Sequence, residues 1–260
     1  MSDTEIEETK IIEGTDTYVE KKNLLREEFL YPNMASYVGH AGLVKDRLIE
    51  KNMTATLLEK KVSRVQTEEG FFMPGSEYEI RTNVRPVRSL KYNYDFFNGN
   101  DVPLLSGLSE GIGSSAPELR ISYHNYDRYG NPIYISKDDS TKMIYLWSYK
   151  GQYPIAEIKN ATYGEVNIIV QSLANIDSLS TKAIPNEDIL KSDKLQRALP
   201  RALVTTYTYK PLVGMESMTD PRGVTTYYGY DSFNRLKEIY LMENGKKKVV
   251  EAYDYNYRNQ

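Results

Sequence analysis

The sequence predicts a mainly β protein, in which tandem antiparallel β-hairpins form a meander that a small helical insertion interrupts. Short runs rich in β-branched and aromatic residues recur between turn signals, which is typical of an antiparallel sheet rather than of βαβ units. The chain also has 23 tyrosines among its 260 residues. Tyrosine suits a half-exposed pleated surface, because its ring packs while its hydroxyl stays solvated. Both observations indicate a sheet protein with thin cores.

Residues 1–53 are predicted to be a leader followed by short helices. Residues 1–17 are polar and charged with isolated isoleucines, which indicates a disordered or loosely docked segment. Residues 18–30 contain good helix formers and end before Pro32, which predicts a short helix. Residues 41–51 predict a second one.

Residues 54–161 are predicted to form an antiparallel β repeat region. Gly and Pro divide the β-prone runs 54–65, 77–83, 87–94 and 119–126. The segment 98–117 is rich in Gly and Asn, includes the glycine-rich run 107–113, and predicts an exposed, flexible loop. A four-strand meander follows, with strands at 119–126, 132–137, 142–149 and 155–158.

Residues 162–200 are predicted to be the helical insertion, packed on one face of the sheet. Thr162 and Glu165 have the spacing of a capping box, and apolar residues follow at helical intervals. A second helical piece is predicted at 186–199, before Pro200.

Residues 201–260 are predicted to return to β-hairpins. Asn244-Gly245 is a type I′ turn signal, because both central residues of that turn need positive φ. Strands 236–243 and 246–253 should therefore pair. The run 249–257 would be an apolar edge strand, which a continuing chain, a partner or a second copy could cover.

The segment Tyr230-Asp231-Ser232-Phe233-Asn234-Arg235-Leu236 resembles the core of an RHS/YD repeat, and Asp220-Pro221-Arg222-Gly223-Val224-Thr225-Thr226-Tyr227 resembles its other half. Asn234 stands where the family usually has Gly, and Asn tolerates left-handed backbone next best. A looser match lies at residues 126–131. The residues predicted to be structural in these motifs are Asp127, Gly130, Asp220, Gly223, Tyr230, Asp231, Asn234 and Arg235.

The resemblance implies part of a larger bacterial repeat protein, at the cell surface or secreted. In that family the repeats form β scaffolds or shells, sometimes around a toxin domain, and carbohydrate binding has been proposed for them. The expected partners are the remainder of the parent repeat chain, or a second copy through the edge strand, and a glycan is a further candidate. The resemblance transfers no catalytic residue.

Composition narrows the function classes. The formal net charge is −3 without a long block of one sign, so the basic patch that nucleic acid demands is not indicated. The chain has no cysteine, hence neither disulfides nor thiolate zinc sites. The N-terminus lacks the apolar core of a signal peptide, and no run is long enough for a transmembrane helix.

Tyr145, Trp147 and Tyr149 alternate along a predicted strand and are expected on one face. The row could be a thin β core, which is the leading interpretation. It could instead pack against a partner or another repeat, or stack on sugar rings, because flat aromatic faces are buried at low entropic cost.

The sequence predicts a non-enzymatic chain with no cofactor or metal. His40 and His124 are far apart, and neither has evident partners. Each motif aspartate after a tyrosine could be a general acid or a calcium ligand. The preferred interpretation is a turn residue, because an Asp carboxylate accepts backbone N–H bonds two residues on.

Overall fold

The computed structural model describes residues 2–6, 12–14, 17–34, 42–71, 77–138, 140–171, 176–185 and 194–255. These residues are mostly β, and the strands pair antiparallel, with a few short helices, so the predicted fold class is confirmed. The chain divides into two compact units, Met1–Ser122 and Tyr123–Gln260.

The first unit is a long-stranded antiparallel sheet with one helix. Strands β1 and β2 both pair with β3, and β3 to β7 then pair in chain order. The last residues of β7 belong to the second unit. The elements are β1 (Ser2–Ile6), β2 (Ile12–Gly14), β3 (Thr17–Leu30), α1 (Gly42–Glu50), β4 (Glu59–Phe71), β5 (Glu79–Asp95), β6 (Leu104–Ile112) and β7 (Glu118–Tyr126).

The N-terminal predictions need correction. Residues 18–30 form a strand instead of a helix, and they pair with β4 along their length, from Tyr18↔Phe71 to Leu30↔Glu59. Helix propensity is a weak preference that such a ladder overrides. Within the predicted leader, β1 and β2 are paired strands, while the rest of residues 1–16 lies outside the described residues. The helix predicted at 41–51 is confirmed by α1.

The loop predicted for residues 98–117 is wrong in its central part, because β6 occupies residues 104–112. Two glycines of that strand are buried, and a side chain at either position would collide with neighbouring residues of the same chain. A Cβ on Gly107 would lie 2.8 Å from Leu119 Cδ1, and one on Gly111 would lie 3.0 Å from the Ser115 carbonyl oxygen. These glycines therefore mark close backbone approach within a strand, which composition cannot distinguish from flexibility.

The runs predicted at 77–83 and 87–94 form one strand, β5, with Pro86 inside it. Opposite Pro86, the register of the β4–β5 ladder shifts between Val62 and Ser63. The bulge accommodates a residue that cannot donate to the ladder. The core of this unit is small. It consists of Val44, Leu48 and Leu58, with Leu30, Met53, Tyr94 and Phe96 packed against them.

The second unit contains the remaining strands, which also pair antiparallel in chain order. The predicted meander and the predicted C-terminal hairpins are both present. The elements are β8 (Pro132–Lys137), β9 (Thr141–Ser148), β10 (Tyr153–Lys159), α2 (Tyr163–Gln171), α3 (Ile176–Leu179), α4 (Lys194–Ala198), β11 (Leu203–Lys210), β12 (Gly214–Thr219), β13 (Thr225–Tyr230), β14 (Leu236–Glu243) and β15 (Lys246–Ala252).

The helical insertion begins at the predicted capping box. The Thr162 backbone N–H donates to a carboxylate oxygen of Glu165 at 2.7 Å, and the Glu165 N–H donates to the Thr162 hydroxyl at 3.2 Å. Helix α4 confirms the C-terminal part of the helix predicted at 186–199; residues 186–193 lie outside the described residues.

The insertion packs on one face of the sheet, as the sequence predicts. Its buried side chains join those of the meander strands in the main core of this unit. That core contains Ile133, Ile144, Leu146, Tyr149, Ile155, Ala156, Ile158, Ala161, Val166, Val170, Leu179, Leu195, Leu199 and Val204.

The C-terminal turns have the expected backbone. Asn244 and Gly245 have φ values of 51° and 75°, so the predicted type I′ turn is confirmed, and it connects the paired strands β14 and β15. Asn234, in the family's glycine position, has a φ of 59°. Left-handed backbone at this position explains why Asn can replace Gly there.

Candidate functional site

Three strand connections in the second unit are built on the same aspartate turn. In each turn, one carboxylate oxygen of an Asp accepts the backbone N–H groups two and four residues later. Backbone bonds join the Asp carbonyl to the N–H three residues on, and the Asp N–H to the carbonyl four residues on. The carboxylate thus accepts hydrogen bonds from backbone N–H groups that have no carbonyl partner within the tight turn.

The turn at Asp127 connects β7 and β8 and is the most enclosed. The Asp127 carboxylate accepts the N–H groups of Tyr129 at 2.9 Å and Asn131 at 2.8 Å, and Asp127 is only 2% exposed. The Asn131 side chain connects this carboxylate to the carbonyl of Gly151 at 2.8 Å. Gly130 has a φ of 82°. Asn131 therefore connects two turns.

The turn at Asp220 connects β12 and β13. Its carboxylate accepts the N–H groups of Arg222 and Val224, both at 2.9 Å. Gly223, one residue before the last of these donors, has a φ of 81°. This positive φ is the backbone conformation that glycine adopts at least cost.

The turn at Asp231 connects β13 and β14 and carries the full Tyr-Asp motif. Its carboxylate accepts the N–H groups of Phe233 and Arg235 and also binds the Arg235 guanidinium, with Nε at 2.8 Å. These bonds from Arg235 hold the pKa of Asp231 below its ordinary value. The Tyr230 hydroxyl donates to the Met215 carbonyl at 2.8 Å. The geometry thus includes all of the predicted motif residues, whose role as repeat positions stays a prediction.

The predicted aromatic row is divided between two environments. Tyr145 and Trp147 are half-buried in β9; the Tyr145 hydroxyl donates to Glu157, and the Trp147 indole N–H donates to the Pro132 carbonyl at 2.9 Å. Burial, with the Glu157 carboxylate nearby, raises the pKa of Tyr145 to about 12.

The expectation that Tyr149 shares their face is wrong. Strand β9 ends at Ser148, and Tyr149 has a φ of 53°, which directs it into the main core, on the side of Ile144 and Leu146. Alternation predicts a shared face only while the backbone remains extended. A ligand-binding role for the three residues stays a prediction.

Sequence reasoning missed the tyrosine cluster that surrounds Tyr149. The Tyr149 hydroxyl donates to the Tyr209 carbonyl at 3.1 Å and accepts the Tyr209 N–H at 3.0 Å. The Tyr153 and Tyr209 rings stack at 4.7 Å, and burial raises the pKa of Tyr209 to about 12. Tyr209 lies beyond the last paired residues of β10 and β11, Ala156↔Thr206. The Tyr149 hydroxyl therefore supplies the hydrogen-bond partner that β10 does not provide for the Tyr209 backbone. Only the high tyrosine content signalled this.

Of the two histidines considered as candidates, only His124 lies in the described part of the chain. His124 lies 2.8 Å from the Ser136 hydroxyl and stacks on Tyr134, while His40 lies outside the described residues. No group of His, Asp or Glu residues in the described ranges is close enough to hold a metal ion. A cleft of about 410 Å³ lies beside α2, lined by residues including Ile168, Leu199 and Arg201.

Strand β15 is the last strand of the sheet order, and all of its residues are exposed. Val249 and Val250 are 48% and 56% exposed, and lysines at 246–248 precede them. Such an edge presents unpaired backbone groups to another strand. No helix among the described residues is long and apolar enough to cross a bilayer.

The chain matches no family model and no curated protein at a significant level. Among solved structures, it is similar to a chain of the Photorhabdus luminescens Tc holotoxin pore, with 10% identity and a TM-score of 0.40. It is also similar to chains of the TcdB2–TccC3–Cdc42 complex, with 11% identity and a TM-score of 0.41, and of TcdB2–TccC3, with 11% and 0.40.

Each of these alignments covers 92% of this chain but 12% of the other. The chain therefore spans about one eighth of the length of the solved chains it matches. Their TM-scores are too low to establish a shared fold. The RHS/YD resemblance therefore still depends on the Tyr-Asp motifs and on the turns that these motifs form.

Proposed function

We propose that the chain is a non-enzymatic structural β-repeat module of a larger bacterial RHS/YD-repeat protein, at the cell surface or secreted. The observation that supports this most is the recurrence of one aspartate turn at Asp127, Asp220 and Asp231, each between strands that pair in chain order. In these turns the carboxylates bind backbone, as residues that shape a scaffold do. In arrays of repeats, each unit packs against its neighbours, so stability is shared along the chain.

The test is an immunoblot of fractionated bacteria that make the protein, with an antibody raised against the purified 260-residue chain. The expected result is a band much larger than this chain, in the surface fraction or the medium. A single band of the size of this chain in the cytosolic fraction would contradict both the repeat-protein context and the location.

The alternative is a carbohydrate- or protein-binding module, which the half-buried Tyr145 and Trp147 favour. A glycan array on the purified chain tests it, with Trp147→Ala as the variant and Tyr129→Ala as the matched control, since Tyr129 is 49% exposed in the same unit. The scaffold proposal expects no reproducible binding. Binding that Trp147→Ala abolishes and Tyr129→Ala keeps would favour the glycan module instead.

A further inference from the structure

Two arginines face each other across the β4–β5 ladder of the first unit. Arg64 and Arg85 are register partners, and both side chains are exposed. Like charges directly opposite each other in a sheet are destabilising. The repulsion between the two guanidinium groups therefore lowers the stability of the isolated chain.

Neither guanidinium makes an ion pair or a hydrogen bond with any residue in the described ranges. Three other cations of these strands do have carboxylate partners. Lys60 Nζ lies 2.8 Å from Glu27, Arg81 lies 2.8 Å from Glu79, and Arg88 Nε lies 2.6 Å from Glu110. Arg64 and Arg85 are thus two adjacent fixed cations that the described residues do not neutralise.

The next register partners on the same face are two amides, Gln66 and Asn83. Side-chain amides offer both a donor and an acceptor, which matches a peptide group. Guanidinium groups match carboxylates, which they bind through paired N–H donors. The arginine pair and the amide pair are two residues apart along both strands, the spacing at which side chains of an extended peptide recur on one side.

From this arrangement we propose that the β4–β5 face binds an extended acidic peptide segment of a partner protein. A carboxylate of the segment lies between the guanidiniums of Arg64 and Arg85. A polar residue two positions along the segment, with its backbone, meets Gln66 and Asn83. Charge complementarity selects this occupant, and the proposal is independent of whether the chain is a scaffold.

The probe is a fluorescein-labelled peptide of alternating Glu and Gln, titrated with the 260-residue chain at low salt and followed by fluorescence anisotropy. The variant is Arg85→Glu, which places a carboxylate opposite Arg64. The matched control is Arg222→Glu, the same charge change at an exposed turn of the second unit, where the side chain is 88% exposed.

The expected result is that Arg85→Glu weakens peptide binding by about tenfold or more, the loss of hydrogen bonds to a charged group. Arg222→Glu should stay within about twofold, because its side chain is 88% exposed and its charge is screened by solvent. The thermal midpoint of Arg85→Glu should equal or exceed that of the parent chain, since an opposite-charge pair replaces a like-charge pair. Its lost binding then does not reflect unfolding.

Several outcomes would overturn the proposal. These are no peptide binding by the parent chain, an equal loss in Arg85→Glu and Arg222→Glu, or a lower midpoint for Arg85→Glu. A sulfated oligosaccharide is titrated in parallel, to test whether the face binds an anionic glycan instead of an acidic peptide. Binding of that oligosaccharide without binding of the peptide would replace the acidic segment with a glycan.

Discussion

The buried Asp127 carboxylate accepts hydrogen bonds from two backbone N–H groups of its β-turn. In an unfolded chain, water would accept these bonds. Replacing Asp127 with Ala leaves those donors without a partner. Asp127→Ala should therefore lower the free energy of unfolding by about 1–3 kcal/mol. Chemical denaturation measures this.

Asp127→Asn should recover part of the loss, because it keeps one acceptor oxygen. The control is Asp254→Ala, an exposed aspartate that also follows a tyrosine. It should change the free energy of unfolding by no more than about 0.5 kcal/mol. Equal losses at Asp127 and Asp254 would show that the turn bonds contribute nothing special.

Asp231 gives a pH dependence whose sign follows from its lowered pKa. Hydrogen bonds from Arg235 stabilise the ionised carboxylate in the folded chain, so the folded pKa lies below the ordinary value of 3.8. The stabilisation is present above pH 3.8 and is lost as the pH falls through the lower, folded pKa.

In Asp231→Asn this contribution is absent. Its denaturation midpoint should lie below that of the parent chain at neutral pH, and the two should converge in strong acid. A midpoint difference that stays constant across the acid range would contradict an ionic role for Asp231.

Strand β6 shows how glycines can build an element rather than interrupt it. A Cβ on Gly107 would lie 2.8 Å from Leu119 Cδ1 and 3.2 Å from the Ile121 carbonyl oxygen. Gly107→Ala should cost about 1–3 kcal/mol of stability through overpacking. In contrast, Gly164 in α2 has nothing within 4 Å of the added Cβ, and Gly164→Ala should stabilise by up to about 1 kcal/mol.

Thermal unfolding of both variants shows whether Gly107 is required because a side chain would clash or only because glycine makes the chain flexible. A neutral Gly107→Ala would mean that β6 can move away from β7. That outcome would return this segment to the loop interpretation.

At the scale of elements, the sequence predicts what is local. The capping box at Thr162, the Asn244-Gly245 turn and the meander strands depend on neighbouring residues, and all are present. Strand β3 was not recognised, because its partner β4 lies far along the chain. Strand β6 was not recognised, because glycines that allow close backbone approach have the same composition as a flexible loop. The position of Tyr149 depends on a backbone turn, and the Arg64–Arg85 pair depends on the register of two strands. Local sequence patterns show neither of them.

At the scale of the whole molecule, the two units have separate cores of different size. The first unit buries Val44, Leu48 and Leu58, whereas the second has the larger cluster around Ile144 and the helical insertion. Units with their own cores can unfold separately. We expect two transitions in denaturant, the first from residues 1–122.

Trp147 is the single tryptophan and reports only the second unit, while far-UV circular dichroism reports both. Leu48→Ala and Ile144→Ala should each cost about 2–5 kcal/mol, because both side chains are fully buried. Leu48→Ala should shift the first transition and leave the Trp147 transition in place. Ile144→Ala should shift the Trp147 transition. Coincident curves that both variants shift equally would indicate a single cooperative unit.

The chain-order pairing of strands also bears on how the protein is made. From β8 onward, each strand of the second unit finds its partner in the strand synthesised just before it, even across the helical insertion. A nascent chain can therefore add strands to its sheet as they leave the ribosome, without waiting for distant sequence. Gene duplication of one hairpin would lengthen such a sheet while leaving earlier pairings in register.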